Sequence, residues 1–149
     1  MNVETDTKHK IILLVEDNKA HVRLIQEALK DSSIPHQMLN VKDGIEAMSF
    51  LHHEGEYQKA PRPDLILLDL NLPKKDGREV LSEIKADPIL KRIPVVVLTT
   101  SHNEDDISQS YDLHVNCYIT KSRNLNELFQ IVKGIEEFWL SLVTLPPEM

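Results

Sequence analysis

The run Leu65-Ile66-Leu67-Leu68, followed at once by Asp69, constrains the fold more than any other stretch of the chain. Pro63 and Pro73 bound it, and a continuous apolar run of that length reads as a strand. It offers no polar face to water, so the strand is expected to be buried on both sides, as in a parallel sheet covered by helices. Sheets of this kind bind ligands beyond the carboxyl ends of their strands, which puts Asp69 where chemistry collects. An aspartate that merely ends a strand would look the same in isolation, so the remaining strands have to decide.

Four further runs repeat the pattern. Lys10 to Val15 ends in Glu16-Asp17, and His36 to Val41 is a weaker strand. Pro94 to Leu98 runs into Thr99-Thr100-Ser101, and Val115 to Ile119 ends in Thr120-Lys121. Between them lie helical spacings. Val22, Leu24, Ile25, Ala28 and Leu29 form the first helix, Ile45, Met48 and Leu51 the second, and Val80, Leu81 and Ile84 the third. Asp43 with Glu46, Asp76 with Glu79, Ser101 with Glu104 and Asn124 with Glu127 stand at capping distance. The fourth helix has little to bury beyond Ile107 and Tyr111, so weak docking is expected there. Five alternations of strand and helix predict an α/β fold: a doubly wound, five-stranded parallel sheet with right-handed crossovers and five helices.

At 149 residues the chain fits one domain. Residues 1–9 are expected to be a disordered leader, residues 10–143 the folded domain and residues 144–149 a tail. No apolar run approaches the ~20 residues of a membrane span. The polar N-terminus and the single cysteine, Cys117, suggest neither export nor disulfides, so a cytoplasmic setting is expected. A net charge of −7 without a basic cluster argues against nucleic acid as a partner. Cys117 is read as a packing thiol, and His52-His53, about 100° apart on a helix, as solvated surface.

In such a sheet the strand ends share one edge, so Glu16, Asp17, Asp69, Thr99 and Lys121 converge. Three carboxylates this close repel unless a cation sits among them, and an all-oxygen set favours a hard ion such as Mg²⁺. Lys121 and Thr99 add a positive charge and a hydroxyl donor suited to the oxygens of a phosphoryl group on Asp69. Carboxylates do act as nucleophiles toward phosphoryl groups.

These residues in this order resemble the receiver domain of two-component response regulators, from about Lys10 to Trp139. The matching signatures are Glu16-Asp17, Asp69 with Asn71, Pro73 and Gly77 after it, Thr99, and Tyr118 with Lys121. The resemblance implies the flavodoxin-like strand order 2-1-3-4-5. It also implies that Asp69 accepts a phosphoryl group from the histidine of a sensor kinase. Asp17, Asp69 and the Asn71 carbonyl would hold Mg²⁺, with Glu16 assisting through water, and Thr99 and Tyr118 would form the switch pair. Such a receiver assists its own phosphorylation and dephosphorylation but is not a turnover enzyme. The segments 63–77, 111–120 and 135–140 further resemble the small single-domain regulators that serve cyanobacterial phytochromes, which implies a light-sensing histidine kinase as donor and no output domain in the chain.

One position departs from the family pattern: Ser122 follows Lys121 where proline is usual. A cis bond to serine would cost about 3–4 kcal/mol against ~0.5–1 at proline, so a trans bond or a strained loop is expected. Two other readings compete. A haloacid-dehalogenase type of phosphatase needs an acid two residues after Asp69, and Asn71 cannot serve. An unphosphorylated scaffold is disfavoured because no member of the phosphorylation set is missing.

The last helix carries more apolar surface than one core face needs. Leu125, Leu128, Val132, Ile135, Trp139 and Leu142 repeat at three and four, while Phe129, Ile131, Phe138, Leu140 and Val143 widen the arc to about twice a single face. A partner surface around Phe138, Trp139, Leu142 and Val143 is expected, most simply in a homodimer.

Overall fold

The computed structural model describes residues 9–147, so the expected leader lies almost entirely outside them. Strands β1 (Lys10–Val15), β2 (His36–Val41), β3 (Leu65–Leu68), β4 (Val95–Thr99) and β5 (Cys117–Thr120) form one parallel sheet in the order β2-β1-β3-β4-β5. Helices α1 (Lys19–Lys30), α2 (Gly44–Leu51), α3 (Gly77–Ala86), α4 (Glu104–Asp112) and α5 (Leu125–Ile135) link them. The expected α/β architecture and strand order are the ones observed.

Successive residues of a strand face opposite sides, and the sheet accordingly has two cores. Leu13, Val15, Ile66, Leu68, Val95 and Val97 pack on α2 and α3. Ile12, Leu14, Leu65, Leu67, Val96 and Leu98 pack on α1 and α5. All four residues of β3 are at most 1% exposed, each contributing about 1.5–3 kcal/mol of burial, so the strand that leads into Asp69 is seated along its whole length.

Helix α4 is held loosely, as its sequence suggests. Ser110 is its buried residue, Ile107 is half-buried and Tyr111 is exposed. Its cap is Asn103, whose side chain accepts from the Asp105 N–H at 2.8 Å, in place of the expected Ser101. Ser101 is drawn away because its hydroxyl donates to the Asp106 carboxylate at 2.6 Å. Asp76 does cap α3, but through the N–H of Arg78, and its partner Glu79 plays no part in that cap. Ile45 faces water at 53% exposure, so α2 docks through Ala47, Met48, Phe50 and Leu51.

The C-terminal helix departs furthest from its regular reading. After Ile135 the backbone widens into a π-helical segment, Glu136–Leu142. Each wide turn holds an additional residue, so the next fully buried apolar position after Ile135 is Leu140, while Trp139 stays half-buried against the α1 and α5 core and Leu142 leaves the stripe. Leu125 and Leu142, expected on the core stripe, are 59% and 74% exposed. Glu136 is buried where the helix widens, and its carboxylate accepts from the Ser32 hydroxyl at 3.1 Å and pairs with Lys133 at 3.3 Å. There is no cis peptide bond among the described residues, so Lys121-Ser122 is trans as expected.

Candidate functional site

Three site residues stand one position past a strand, and each is held there by its own backbone. The Glu16 N–H donates to the Val41 carbonyl at 3.0 Å, the Asp69 N–H to Val15 at 3.1 Å and the Lys121 N–H to Thr99 at 2.7 Å. The sheet ladder thus runs one bond beyond the strands and fixes where these side chains start. Beyond Asp69 the chain turns sharply, with the Gly77 N–H returning to the Leu70 carbonyl at 2.9 Å. A Cβ on Gly77 would meet the Asp69 carbonyl oxygen at 2.3 Å, so glycine is required by the close approach of α3 to this turn.

The convergence predicted for Glu16, Asp69, Thr99 and Lys121 is present, and all four are buried. Asp69 divides its oxygens: Oδ1 accepts from Thr99 Oγ1 at 2.9 Å and from the Asn71 N–H at 3.0 Å, while Oδ2 accepts from Lys121 Nζ at 3.1 Å. Lys121 Nζ also donates to Glu16 Oε1. Burial holds the Glu16 carboxyl above its ordinary value, with the Lys121 ammonium opposing this and the Asp69 charge reinforcing it. Removing the lysine would strand two buried carboxylates, a change that typically costs about 3–5 kcal/mol.

Asp17 is exposed at the rim and completes an oxygen cluster with Glu16 and Asp69 whose ligand atoms all lie within 4.8 Å of one another. Oxygen donors of this hardness and spacing fit Mg²⁺, whose ligands stand ~2.0–2.1 Å from the ion, and the exposed side leaves room for the waters that Mg²⁺ retains.

On the other side of Thr99, the Tyr118 ring packs against the core beneath α2 and α3, and its hydroxyl donates to the Ser101 carbonyl at 2.9 Å. Asp106 accepts from the Ser101 hydroxyl and, bidentately, from Arg78 Nε at 2.7 Å and Nη2 at 2.8 Å. Arg78 Nη1 reaches the Leu70 carbonyl at 3.4 Å, so a continuous polar chain joins the turn after Asp69 to α4 and Tyr118. Sequence reasoning singled out neither Arg78 nor Asp106, and it also passed over His21, whose Nδ1 lies 3.0 Å from Lys121 Nζ. The signal for His21 was its place in the first turn of a helix that starts three residues after Glu16. For the arginine pair no spacing rule links positions 28 residues apart.

The expected partner surface is separate from this cluster. Phe138 and Leu142 are exposed, Val143 is half-buried, and Trp139 is partly packed on the α1 and α5 core. Cys117, Ile119, Ile131, Ile135, Phe138 and Trp139 line an apolar cavity of about 350 Å³ between β5, an edge strand, and the last helix. Cys117 is half-buried there, and burial pushes its thiol up.

A sheet of order 2-1-3-4-5 with an acidic cluster, a hydroxyl and a buried lysine at its strand ends defines a receiver-type domain. The chain matches the response regulator receiver domain over residues 12–133. It is 69% identical over 137 residues to the response regulator Rcp1 of Synechocystis sp., covering 92% of this chain and 93% of Rcp1. Among solved structures it resembles the phosphorylated cyanobacterial phytochrome response regulator RcpA, with a TM-score of 0.92 and 75% identity over 94% of this chain and 100% of that one. The Mn²⁺-bound form of Rcp1 gives a TM-score of 0.91 at 69% identity, covering 93% of this chain and 99% of Rcp1. The chain belongs to the response regulator receiver family, a signalling class and not one of metabolic enzymes. Among the described residues no helix is long and apolar enough to cross a membrane.

Proposed function

We propose that the protein is a phosphorylation-controlled switch in which Asp69 accepts a phosphoryl group from the histidine of a phytochrome-type sensor kinase. The observation that carries this reading is the division of the Asp69 carboxylate between Thr99 and Asn71 on one oxygen and Lys121 on the other, beside the acidic pair. The donor's P–N bond breaks as an Asp69 O–P bond forms, and the kinase histidine leaves. Thr99 Oγ1 and Lys121 Nζ are placed to donate to the oxygens of the incoming group. Glu16, Asp17, Asp69 and the Asn71 carbonyl would hold Mg²⁺. When bound, that ion neutralises phosphoryl charge.

Thr99 and Tyr118 form the switch pair, and the inward Tyr118 ring with its bond to the Ser101 carbonyl supports that role. The receiver domain spans residues 10–143, works in the cytoplasm and promotes its own phosphorylation and dephosphorylation. The phytochrome kinase is supported by the relatives, since Rcp1 and RcpA are response regulators and RcpA is that of a cyanobacterial phytochrome. Phe138, Trp139, Leu142 and Val143 form the homodimer surface, which the apolar cavity beside them supports.

The test is phosphoryl incorporation from acetyl phosphate with and without Mg²⁺, in wild type and Asp69→Asn. Label that depends on both Mg²⁺ and Asp69 is expected. Label that persists in Asp69→Asn, or none in either protein, overturns the reading.

A further inference from the structure

An ammonium has three N–H donors and no acceptor. Lys121 Nζ meets three separate acceptors, Glu16 Oε1, Asp69 Oδ2 at 3.1 Å and His21 Nδ1 at 3.0 Å, so each donor has its own partner. Since the lysine can only donate, Nδ1 is the accepting nitrogen and the ring hydrogen sits on Nε2. Burial first, and the Lys121 charge second, hold the His21 imidazole below its ordinary value, in keeping with a neutral ring. Its place in the first turn of α1, at the positive end of the helix dipole, acts in the same direction.

The three acceptors are not equivalent. Glu16 and Asp69 belong to the acidic cluster and are the groups that a cation or a phosphoryl group would engage. His21 stands outside that cluster, four residues beyond Asp17 at the start of a helix whose cap is closed by two bonds to the Asn18 side chain. The ammonium therefore has one partner, on a capped helix, that is not among the cluster's carboxylates.

We propose that His21 is a positioning residue whose Nδ1 lone pair anchors the Lys121 ammonium beside Asp69 while Glu16 and Asp69 engage a cation or a phosphoryl group. The proposal rests on the reading of Asp69 as the acceptor. It predicts that the lone pair at the Nδ1 position matters and the ring does not. Asn places an acceptor oxygen at nearly the same distance along the side chain, and Leu fills similar space without one.

The experiment compares wild type, His21→Asn and His21→Leu in two measurements. In metal-free protein labelled with ¹⁵N, a slowly exchanging Lys121 ammonium signal, assigned by its loss in Lys121→Arg, is expected in wild type and His21→Asn and absent in His21→Leu. With acetyl phosphate at saturating Mg²⁺, His21→Leu is expected to incorporate phosphoryl groups about tenfold more slowly, the loss of one charge-assisted bond, while His21→Asn keeps most of the rate. A His21→Leu protein that matches wild type in both measurements overturns the proposal. So does a slower rate with the ammonium signal retained, because Lys121 would then be held without His21. A His21→Asn protein that behaves like His21→Leu overturns it too. Absence of label in wild type, or label surviving Asp69→Asn, instead overturns the reading of Asp69, and the ammonium signal still judges the anchor.

Discussion

Arg78 grips Asp106 with two parallel bonds of 2.7 and 2.8 Å, and this pair ties α4, a helix with almost no apolar anchor, to the first turn of α3. The planar guanidinium suits a carboxylate in this way, and a bidentate pair holds direction as well as distance. Asp106 also accepts from Ser101, whose carbonyl receives the Tyr118 hydroxyl. The position of α4 and the inward placement of the tyrosine are therefore set by one connected group of polar contacts.

Cutting that connection should loosen α4 and leave the sheet intact. In Asp106→Asn, backbone amides of Glu104–Asp112 are expected to exchange about tenfold faster, corresponding to the loss of about 1.4 kcal/mol of charge-assisted bonding, while those of α3 keep their protection. Hydrogen exchange followed by mass spectrometry measures both, and equal protection of α4 in the two proteins would refute the role given to the pair.

The same contact carries a pH signature. Arg78 first, and the Ser101 hydroxyl second, hold the Asp106 carboxyl down at about 2. An unfolded aspartate titrates near ~3.9, so the folded value lies lower and the contact's contribution is complete above about pH 4. It is lost as pH falls through about 2. Urea midpoints of wild type and Asp106→Asn are expected to differ near neutrality and to converge at the acid end. A gap that stays constant with pH would contradict the assignment.

A cation that binds the folded protein alone must stabilise it. At a hundredfold excess over its dissociation constant, Mg²⁺ is expected to add about 2.7 kcal/mol, read as a rise in thermal midpoint. Asp17→Asn removes the exposed member of the cluster and is expected to flatten that response with little change in the metal-free midpoint. A response of equal size in the variant would move the ion elsewhere.

Gly77→Ala forces a methyl against backbone, 2.3 Å from the Asp69 carbonyl oxygen and 2.5 Å from Leu70 Cα. Neither atom belongs to a flexible side chain that could step aside. A loss of about 1–3 kcal/mol in urea stability is expected, together with slower phosphoryl incorporation as the turn shifts. An alanine variant as stable and as fast as wild type would show that α3 does not press on the turn.

The apolar surface near the C-terminus is best probed by substitution, because Leu140 and Leu145 are buried and a truncation would damage the core. Phe138 and Leu142, at 49% and 74% exposure, can be changed to serine at little cost to folding. On gel filtration wild type is expected to run as a dimer and the double variant as a monomer. Identical elution of the two proteins would exclude this surface from assembly.

The architecture was legible because its signals are of short range. Continuous apolar runs mark strands buried on both faces, and residues just past those runs must meet at one edge once the sheet is parallel. That logic located Glu16, Asp69, Thr99 and Lys121 without a coordinate. It failed where a contact depends on the angle between elements. Ser101 stands at capping distance from Glu104, yet Asp106 competes for its hydroxyl and Asn103 takes the cap. Leu142 continues a regular helical stripe, yet the wide turns of Glu136–Leu142 turn it out to water and bury Leu140 instead. His21 and Arg78 are ordinary members of amphipathic helices until the packing of α1 and α3 brings them to Lys121 and Asp106.

Lys121 and Glu16 are 105 residues apart in the chain and in contact in the fold. Their meeting requires β1, β3, β4 and β5 to be laid side by side, so the site does not exist in any fragment that ends before residue 121. A chain still being synthesised presents Asp69 without Lys121 beside it. Under the reading proposed for Asp69, competence to take a signal is in this sense a certificate of completed folding.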